Sequence, residues 1–326
     1  MPTISINDSK FVTQDDESVL ETLLRENIVV PNGCWQGVCQ SCLMRSLDTP
    51  PPISAQQGVK DTLQKQGYFL ACMCHPVEDM TVALPNYKKD LLTATVVEKQ
   101  LLNADIMRLV VEHELEFEFF AGQFVDLHRD DGLARSYSIA NRPDGNNRLE
   151  FHVRRLPNGR FSSWVHDELL IGSNLKLSEA KGSCYYLASE KQNPLLLVGT
   201  GSGLAPLIGI IEDALAQGHK EDIHLFHGSR QIDGLYLINE MRELEKKYSN
   251  FHYTPCLSGQ TDSTGAYAEG RANDVALARI ENLKGWRVYL CGHPDMVSQT
   301  KRMAYLKGAS LADIYADAFY VISETP

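Results

Sequence analysis

A chain of 326 residues exceeds one ordinary hydrophobic core and predicts two or three compact units, of which three is the expectation here. Its 43% hydrophobic and 22% charged residues fit a globular protein and exclude fibrous and disordered classes. The formal net charge of −11 argues against nucleic acid as a partner, since phosphate backbones recruit basic patches.

The N-terminal MPTISINDSKFV has no basic start followed by an apolar run, so no secretory signal is read there. ISI and KFVT predict a hairpin. ESVLETLLREN predicts a helix with Val19, Leu20, Leu23 and Leu24 on one face and Asp16 as its N-cap. The stretch CWQGVCQSC follows, then SLDTPPPISAQQ, whose three prolines forbid regular structure. YFLACM and MTVAL are further strands, and LPNYKKDLL is a polar linker. The first block, residues 1–87, carries ten acidic and five basic residues, which suits either steering toward a basic protein or simple solubility.

In the second block, residues 92–190, the segments TATVVEK, IMRLVVEHE, GQFVDLHR, RSYSIAN, RLEFHVRR and NLKLSEA are strand-like. With one helix at FSSWVHDEL, they predict a small antiparallel barrel of six strands. The third block, residues 191–326, alternates. LLLV, IHLFH, FHYTPCL, RVYLC and IYADAFY are strands; LAPLIGIIEDALAQG, YLINEMRELEKKY, ANDVALARI and PDMVSQTKRMAYLKG are helical. Such alternation predicts a parallel sheet covered by helices on both faces. The uncharged run from Gln192 to Ile211 approaches membrane-spanning length, but its four glycines and two prolines fit a strand-turn-helix better. The expectation is a cytoplasmic protein with no integral membrane segment, whose thiols stay reduced.

Of eight cysteines, five cluster: Cys34, Cys39, Cys42, Cys72 and Cys74. Cys34, Cys39 and Cys42 form CxxxxCxxC, and Cys72 follows after 29 intervening residues. This is the plant-type spacing for a [2Fe-2S] cluster held by four thiolates. The anionic cluster needs backbone N–H groups turned inward, which Gly33 and Gly37 permit through a tight, partly left-handed loop. A zinc site on Cys39, Cys42, Cys72 and Cys74, within a regulatory or binding module, is the competing reading; it leaves Cys34 unused and needs no glycine-rich loop. A Rieske centre requires two histidines, and His75 is alone there. Spacing leaves the fourth ligand open between Cys72 and Cys74. Cys184 and Cys256 read as packing residues.

PNGCWQGVCQSC and GYFLACMCHP resemble plant-type ferredoxin domains of the β-grasp fold, which implies Cys34, Cys39, Cys42 and Cys72 as ligands and Cys74 as a spare, buried thiol. Gln40 departs from that pattern, where many such domains have glycine. RSYSIAN with NGRFSSW resembles the flavin domain of the ferredoxin-NADP reductase superfamily. By that resemblance Arg135 pairs with a flavin pyrophosphate, Tyr137 packs on the flavin and Ser138 hydrogen-bonds near its N5, while Gly159, Ser162 and Ser163 form a second phosphate-contacting element. EAKGSC keeps only Gly182 of the more usual GPxGxF.

GTGSGLAP is not the GxGxxG fingerprint and alone is a weak signal. However, GTGSGLAP, FHGSR, LYLINE, YLCGHPDMV and IYADAFY occur in the order of that superfamily's nicotinamide domain. The resemblance implies that Gly201, Ser202 and Gly203 approach the nicotinamide nucleotide, with Ser202 where threonine is common. It sets Gly228, Ser229 and Arg230 on the adenosine side, Cys291 and Gly292 beside the nicotinamide, and Phe319 over the flavin ring. Ser138 and Cys291 are the implied catalytic pair.

The whole chain thus resembles three-domain reductase components of bacterial multicomponent oxygenases, of the phenol hydroxylase, methane monooxygenase and benzoate dioxygenase reductase type. The implied architecture is a β-grasp ferredoxin domain, a six-stranded flavin-binding barrel and a Rossmann-like parallel sheet. The implied cofactors are a [2Fe-2S] cluster, FAD and NADH, with NADPH as the alternative nucleotide. Hydride passes to the flavin and single electrons pass through the cluster to a protein acceptor. That acceptor is expected to be an oxygenase component, with a separate ferredoxin or a deoxysugar dehydratase as alternatives, and the reductase itself a monomer.

Overall fold

The computed structural model describes residues 1–85, 91–114, 116–187 and 193–320. The chain divides into two compact units, Met1–Lys89 and Asp90–Pro326. The second contains both the barrel and the parallel sheet.

In the first unit, β1 (Thr3–Ile6) and β2 (Ser9–Val12) form the expected hairpin. Helix α1 (Val19–Arg25) buries Val19, Leu20 and Leu23. Its N-cap is Ser18, not Asp16: the Ser18 hydroxyl accepts from Glu21 N and the Glu21 carboxylate accepts from Ser18 N at 2.8 Å. Such a capping box is worth about 1 kcal/mol, whereas Asp16 sits two residues upstream in a left-handed turn (φ 58°). Strands β3 (Leu43–Ser46), β4 (Tyr68–Leu70) and β5 (Met80–Ala83) complete a sheet ordered β2-β1-β5-β3-β4, with β1 and β5 parallel. This mixed sheet with α1 packed against it is the β-grasp architecture. The prolines do not forbid structure throughout SLDTPPPISAQQ: Pro52 caps a 3-10 turn over Ile53–Gln56, and a short helix α2 (Asp61–Lys65) follows. Pro52 can do so because its fixed φ suits a helix start.

The six expected strands of the barrel are β6 (Leu92–Leu101), β7 (Ile106–His113), β8 (Phe124–His128), β9 (Ala134–Ser138), β10 (Arg148–Arg154) and β11 (Asn174–Leu177). They are ordered β10-β7-β6-β11-β8-β9, all antiparallel. A bridge from Ile139 to Phe151 returns the end of β9 to β10 and closes the barrel. Val96, Leu109, Val111, Val125, Leu127, Phe151 and Leu177 fill its interior. Helix α3 (Arg160–Asp167) is the expected one. Of the linker LPNYKKDLL, residues 86–90 lie outside the described residues.

The parallel sheet is built from β12 (Leu195–Thr200), β13 (Ile223–Ser229), β14 (Phe251–Leu257), β15 (Ala268–Glu269), β16 (Arg287–Gly292) and β17 (Ile314–Ala318). Helices α4 (Leu204–Ala216), α5 (Ile238–Lys247), α6 (Ala272–Arg279) and α7 (Pro294–Leu306) connect them. The order β15-β14-β13-β12-β16-β17 runs outward from β12 in one direction, then jumps to β16 and continues in the other. The reversal lies between β12 and β16, and ligands of open parallel sheets bind beyond the carboxyl ends of strands at such a point. Gly199–Gly203 and Cys291–Gly292 therefore occupy the crevice the topology creates. Among the described residues, no helix is long and apolar enough to cross a membrane.

Candidate electron-transfer sites

Between α1 and β3 the backbone folds around sulfur. The Cys34 thiol accepts from the backbone N–H groups of Gln36, Val38 and Cys39 at 3.3–3.4 Å, and Cys34 N donates to Cys39 Sγ at 3.4 Å. Cys42 Sγ and Cys72 Sγ stand 3.4 Å apart, and the Gly37 amide is directed at Cys72. The Ser41 hydroxyl and the Cys34 and Ser41 amides pull the Cys39 thiol down to about 6, while burial pushes Cys72 up to about 11. Inward amides and a loop that favours the Cys39 thiolate suit the thiolate-bound cluster, so these residues fit the group. Cys74 is fully buried in the core, where desolvation raises its thiol to about 12. It packs as a hydrophobe.

Gly37 takes the left-handed conformation (φ 74°), with Met73 closing over it at 3.0 Å from where a Cβ would stand. Gly33 does not take it; the other left-handed residues of the loop are Trp35 (φ 58°) and Gln40 (φ 56°). Gln40 adopts the backbone that glycine would, and its side-chain amide donates to Gly58 O at 2.7 Å. That hydrogen bond offsets the cost of a Cβ in this region.

In the second unit the barrel contributes Arg135, Tyr137 and Ser138 from β9. Half-buried Arg135 turns one guanidinium nitrogen to Ala134 O at 2.8 Å, and the Tyr137 ring packs on Phe161 at 5.5 Å. Ser138 is buried, and its hydroxyl donates to Asp317 Oδ2 at 3.0 Å. Gly159 is the N-cap of α3, and a Cβ there would fall 2.4 Å from Ser162 Oγ. The Ser162 hydroxyl accepts from Leu156 N at 3.1 Å and donates to Gly159 O at 3.2 Å, so it shapes the loop from within. Half-buried Ser163 sends its amide to Gly159 O at 2.9 Å. Gly182 is left-handed (φ 99°) against the Phe124 ring.

At the sheet's crevice, Gly201 (φ 55°) turns the chain from β12 into α4. A Cβ on Gly203 would lie 2.3 Å from Cys291 O, so only glycine lets β16 approach. Gly292 is likewise left-handed (φ 122°) against Thr200, and Phe319 N donates to Gly292 O at 2.8 Å. Cys291 is fully buried with its sulfur 3.8 Å from Cys184, and burial raises its thiol well above the ordinary range. Gly228 faces Ala272 across a 2.8 Å gap to a would-be Cβ. Beyond it, Ser229 and Arg230 line an open cleft of about 570 Å³ with Gln231, Asp233, Ser258 and Gly259.

Three residues of this region were not singled out from the sequence. Asp317 lies within the apolar strand IYADAFY and pairs in register with Cys291. Burial holds its carboxyl above the usual range, opposed by the Ser138 hydrogen bond. Arg154, at the end of β10, brings Nη1 to 3.3 Å from where a Cβ on Gly201 would lie. Asp233 stands in the cleft beside Arg230. A doublet of arginines in EFHVRRLP was the available hint for Arg154; only the pairing of β16 with β17 reveals Asp317.

A thiol-rich β-grasp unit joined to a barrel and a doubly wound sheet defines an iron-sulfur flavoprotein that draws electrons from a nicotinamide nucleotide. Comparison with known proteins agrees. The 2Fe-2S iron-sulfur cluster binding domain family matches residues 4–77, the oxidoreductase FAD-binding domain family residues 93–186 and the oxidoreductase NAD-binding domain family residues 197–302. The chain is 32% identical over 309 residues to the ferredoxin--NAD(P)(+) reductase component of a Pseudomonas putida naphthalene 1,2-dioxygenase system, covering 93% of each chain. It is 31% identical to the reductase subunit of an aromatic O-demethylase from an Amycolatopsis species, over 90% of this chain and 91% of that one. The crystal structure of an Amycolatopsis cytochrome P450 reductase superposes with a TM-score of 0.69 at 29% identity, over 98% of this chain and 99% of that one. The chain belongs to the three-domain, ferredoxin-NADP reductase type family of oxygenase reductase components. It is an NAD(P)H-dependent oxidoreductase that uses FAD and a [2Fe-2S] cluster to transfer electrons.

Proposed function

We propose that this reductase takes hydride from NADH at the crevice where Ser138, Cys291, Gly203 and Asp317 converge, and delivers electrons to an oxygenase component in the cytoplasm, acting as a monomer. The Ser138–Asp317 hydrogen bond carries this reading, because it ties the barrel strand proposed to hold the flavin to the sheet edge proposed to hold the nicotinamide. FAD, when bound, supplies the conversion of a two-electron hydride into single electrons for the cluster.

The chain's own residues then have distinct tasks. Arg135 and the N-terminus of α3, with Gly159, Ser162 and Ser163, receive the flavin pyrophosphate, and Tyr137 forms a wall against the flavin. Ser138 turns its hydroxyl oxygen toward flavin N5, and Asp317, which takes the hydroxyl proton, fixes the direction of that oxygen. Gly201, Ser202 and Gly203 leave room at the start of α4 for the nucleotide, with the Arg154 cation beside the turn. Cys291 and Gly292 form the floor under the nicotinamide, and Phe319 covers the flavin from the C-terminal side. Cys34, Cys39, Cys42 and Cys72 hold the cluster. The domain limits that follow are 1–87, 92–190 and 191–326.

NADH is favoured over NADPH by the cleft. Gly228, Ser229 and Arg230 meet the adenosine side, but Asp233 lines the same cleft and its carboxylate suits ribose hydroxyls better than an added phosphate. The test is anaerobic reduction of the purified protein by each nucleotide at equal concentration, with iron, sulfide and flavin measured on the same sample. Two iron, two sulfide and one FAD per chain with faster reduction by NADH are expected. Faster reduction by NADPH rejects the nucleotide assignment, and stoichiometric zinc without sulfide rejects the cluster.

A further inference from the structure

At the amino-terminal edge of the parallel sheet, away from the glycine turns, two histidines and an aspartate meet. His224 on β13 and His252 on β14 are Cα partners in the parallel register, so their side chains leave neighbouring strands on the same face. Their rings lie 4.5 Å apart at 30°, and His252 Nε2 stands 3.4 Å from Asp222 Oδ1. One ligand atom from each of the three residues lies within 4.8 Å of the others.

We propose that Asp222, His224 and His252 form a binding site for one late first-row divalent cation of the zinc type, bridging β13 and β14. A tetrahedral ion with bonds of about 2.0–2.1 Å needs ligand atoms roughly 3.3 Å apart, so only a small pivot of the rings is required. Two imidazoles and one carboxylate select zinc, nickel or copper over magnesium and calcium, and leave a fourth position for water.

The backbone under these ligands is fixed. Asp222 O accepts from Leu195 N at 2.8 Å, and the Asn250 side chain donates to His219 O and Glu221 O at 3.1 and 3.0 Å, pinning the turn into β13. Among the described residues no hydrogen bond reaches the His224 ring nitrogens, and His252 Nε2 meets only Asp222. Their donor atoms are thus not committed to holding the fold. The Trp286 ring, 5.6 Å from His224, backs the site, while exposed Asp222 leaves it open to entry from solvent. Arg279, the cation near the pair, turns its guanidinium to Thr254 Oγ1 at 3.0 Å. A stacked histidine pair that merely fills the sheet's end would have the same burial but no appetite for metal.

Calorimetric titration of the cluster- and flavin-loaded protein with Zn²⁺ in a non-chelating buffer distinguishes the two. Wild type should bind one ion per chain and unfold at higher temperature with it. Asp222→Asn and His252→Gln, which preserve side-chain shape, should each lose about tenfold or more in affinity, since even outer partners of metal ligands are worth 10–100-fold. Cluster and flavin absorption should stay unchanged in all three proteins, and Mg²⁺ should give no heat. Equal Zn²⁺ binding by wild type and both variants, Zn²⁺ uptake only with loss of cluster absorption, or equal binding of Mg²⁺ would each overturn the site.

Discussion

Ser138 and Asp317 are 179 residues apart in the chain and joined by a 3.0 Å hydrogen bond. The serine ends a barrel strand, the aspartate lies on the outer strand of the parallel sheet, and the carboxyl is kept from full solvation by its surroundings. With its proton committed to Asp317, the hydroxyl presents a fixed acceptor oxygen rather than a rotor. Ser138→Ala should lower the rate of flavin reduction by NADH on the order of 100-fold with flavin content unchanged, the range seen when one oriented hydrogen-bonding group of an active site is removed. Asp317→Asn, which retains an acceptor oxygen, should lower it less. Anaerobic stopped-flow measurement separates the two, and unchanged rates in Ser138→Ala would remove the serine from the hydride site.

The two cysteines of ACMC are chemically different despite one intervening residue. Cys72 Sγ is 3.4 Å from Cys42 Sγ, whereas Cys74 is enclosed in the core of the first unit. Cys72→Ser should therefore lose cluster iron and sulfide and keep flavin. Cys74→Ser should keep both, at a stability cost of about 1–3 kcal/mol for burying a hydroxyl. Iron and sulfide assays on both variants decide it, the reverse pattern reassigning the fourth ligand.

Much of this molecule was legible because its chemistry imposes spacing. CxxxxCxxC marks a thiolate site wherever it folds, while spacing left its fourth ligand open, and a strand-helix alternation admits little but a parallel sheet. What stayed hidden depends on contacts between distant segments. Asp317 reads as an ordinary strand residue until β17 pairs with β16 and brings it under Ser138. His224 and His252 are unremarkable in IHLFH and FHYTPCL until register makes them neighbours. Local competition hid the cap of α1: Asp16 and Ser18 are both good N-caps, and only Ser18 has a glutamate three residues on. Glycine was over-read at Gly33, because in this loop a tryptophan and a glutamine carry left-handed backbone instead.

Gln40 gives that last point a test. Its left-handed backbone costs about 1–2 kcal/mol relative to glycine, and its 2.7 Å hydrogen bond to Gly58 O returns about 1 kcal/mol. Gln40→Gly should therefore change stability by no more than about 1 kcal/mol and retain the cluster. Gln40→Val loses the hydrogen bond and adds a β-branched side chain where φ is positive, so its cluster should decay faster. The decay of visible absorption in air measures both, and equal lifetimes for valine and glycine would show that the loop does not depend on this backbone.

His227 makes the parallel sheet sensitive to acid. The ring is fully buried on β13, accepts or donates one hydrogen bond with Tyr253 at 3.2 Å, and has no partner for Nε2 among the described residues. Burial lowers its pKa to about 3, while an unfolded histidine titrates near 6.5. Between those values the unfolded chain binds a proton that the folded one refuses, so stability is complete above about 6.5 and falls as pH drops through the window. The slope approaches about 1.4 kcal/mol per pH unit, or roughly 2 kcal/mol between pH 6.5 and 5. Replacing the ring with one that cannot titrate, His227→Phe, removes this contribution but leaves those of His219 and His224, which burial also lowers. Denaturant unfolding at pH 7.5 and pH 5 should thus show wild type losing about 2 kcal/mol more than the variant, and an equal loss in both would mean that His227 is protonated in the folded protein.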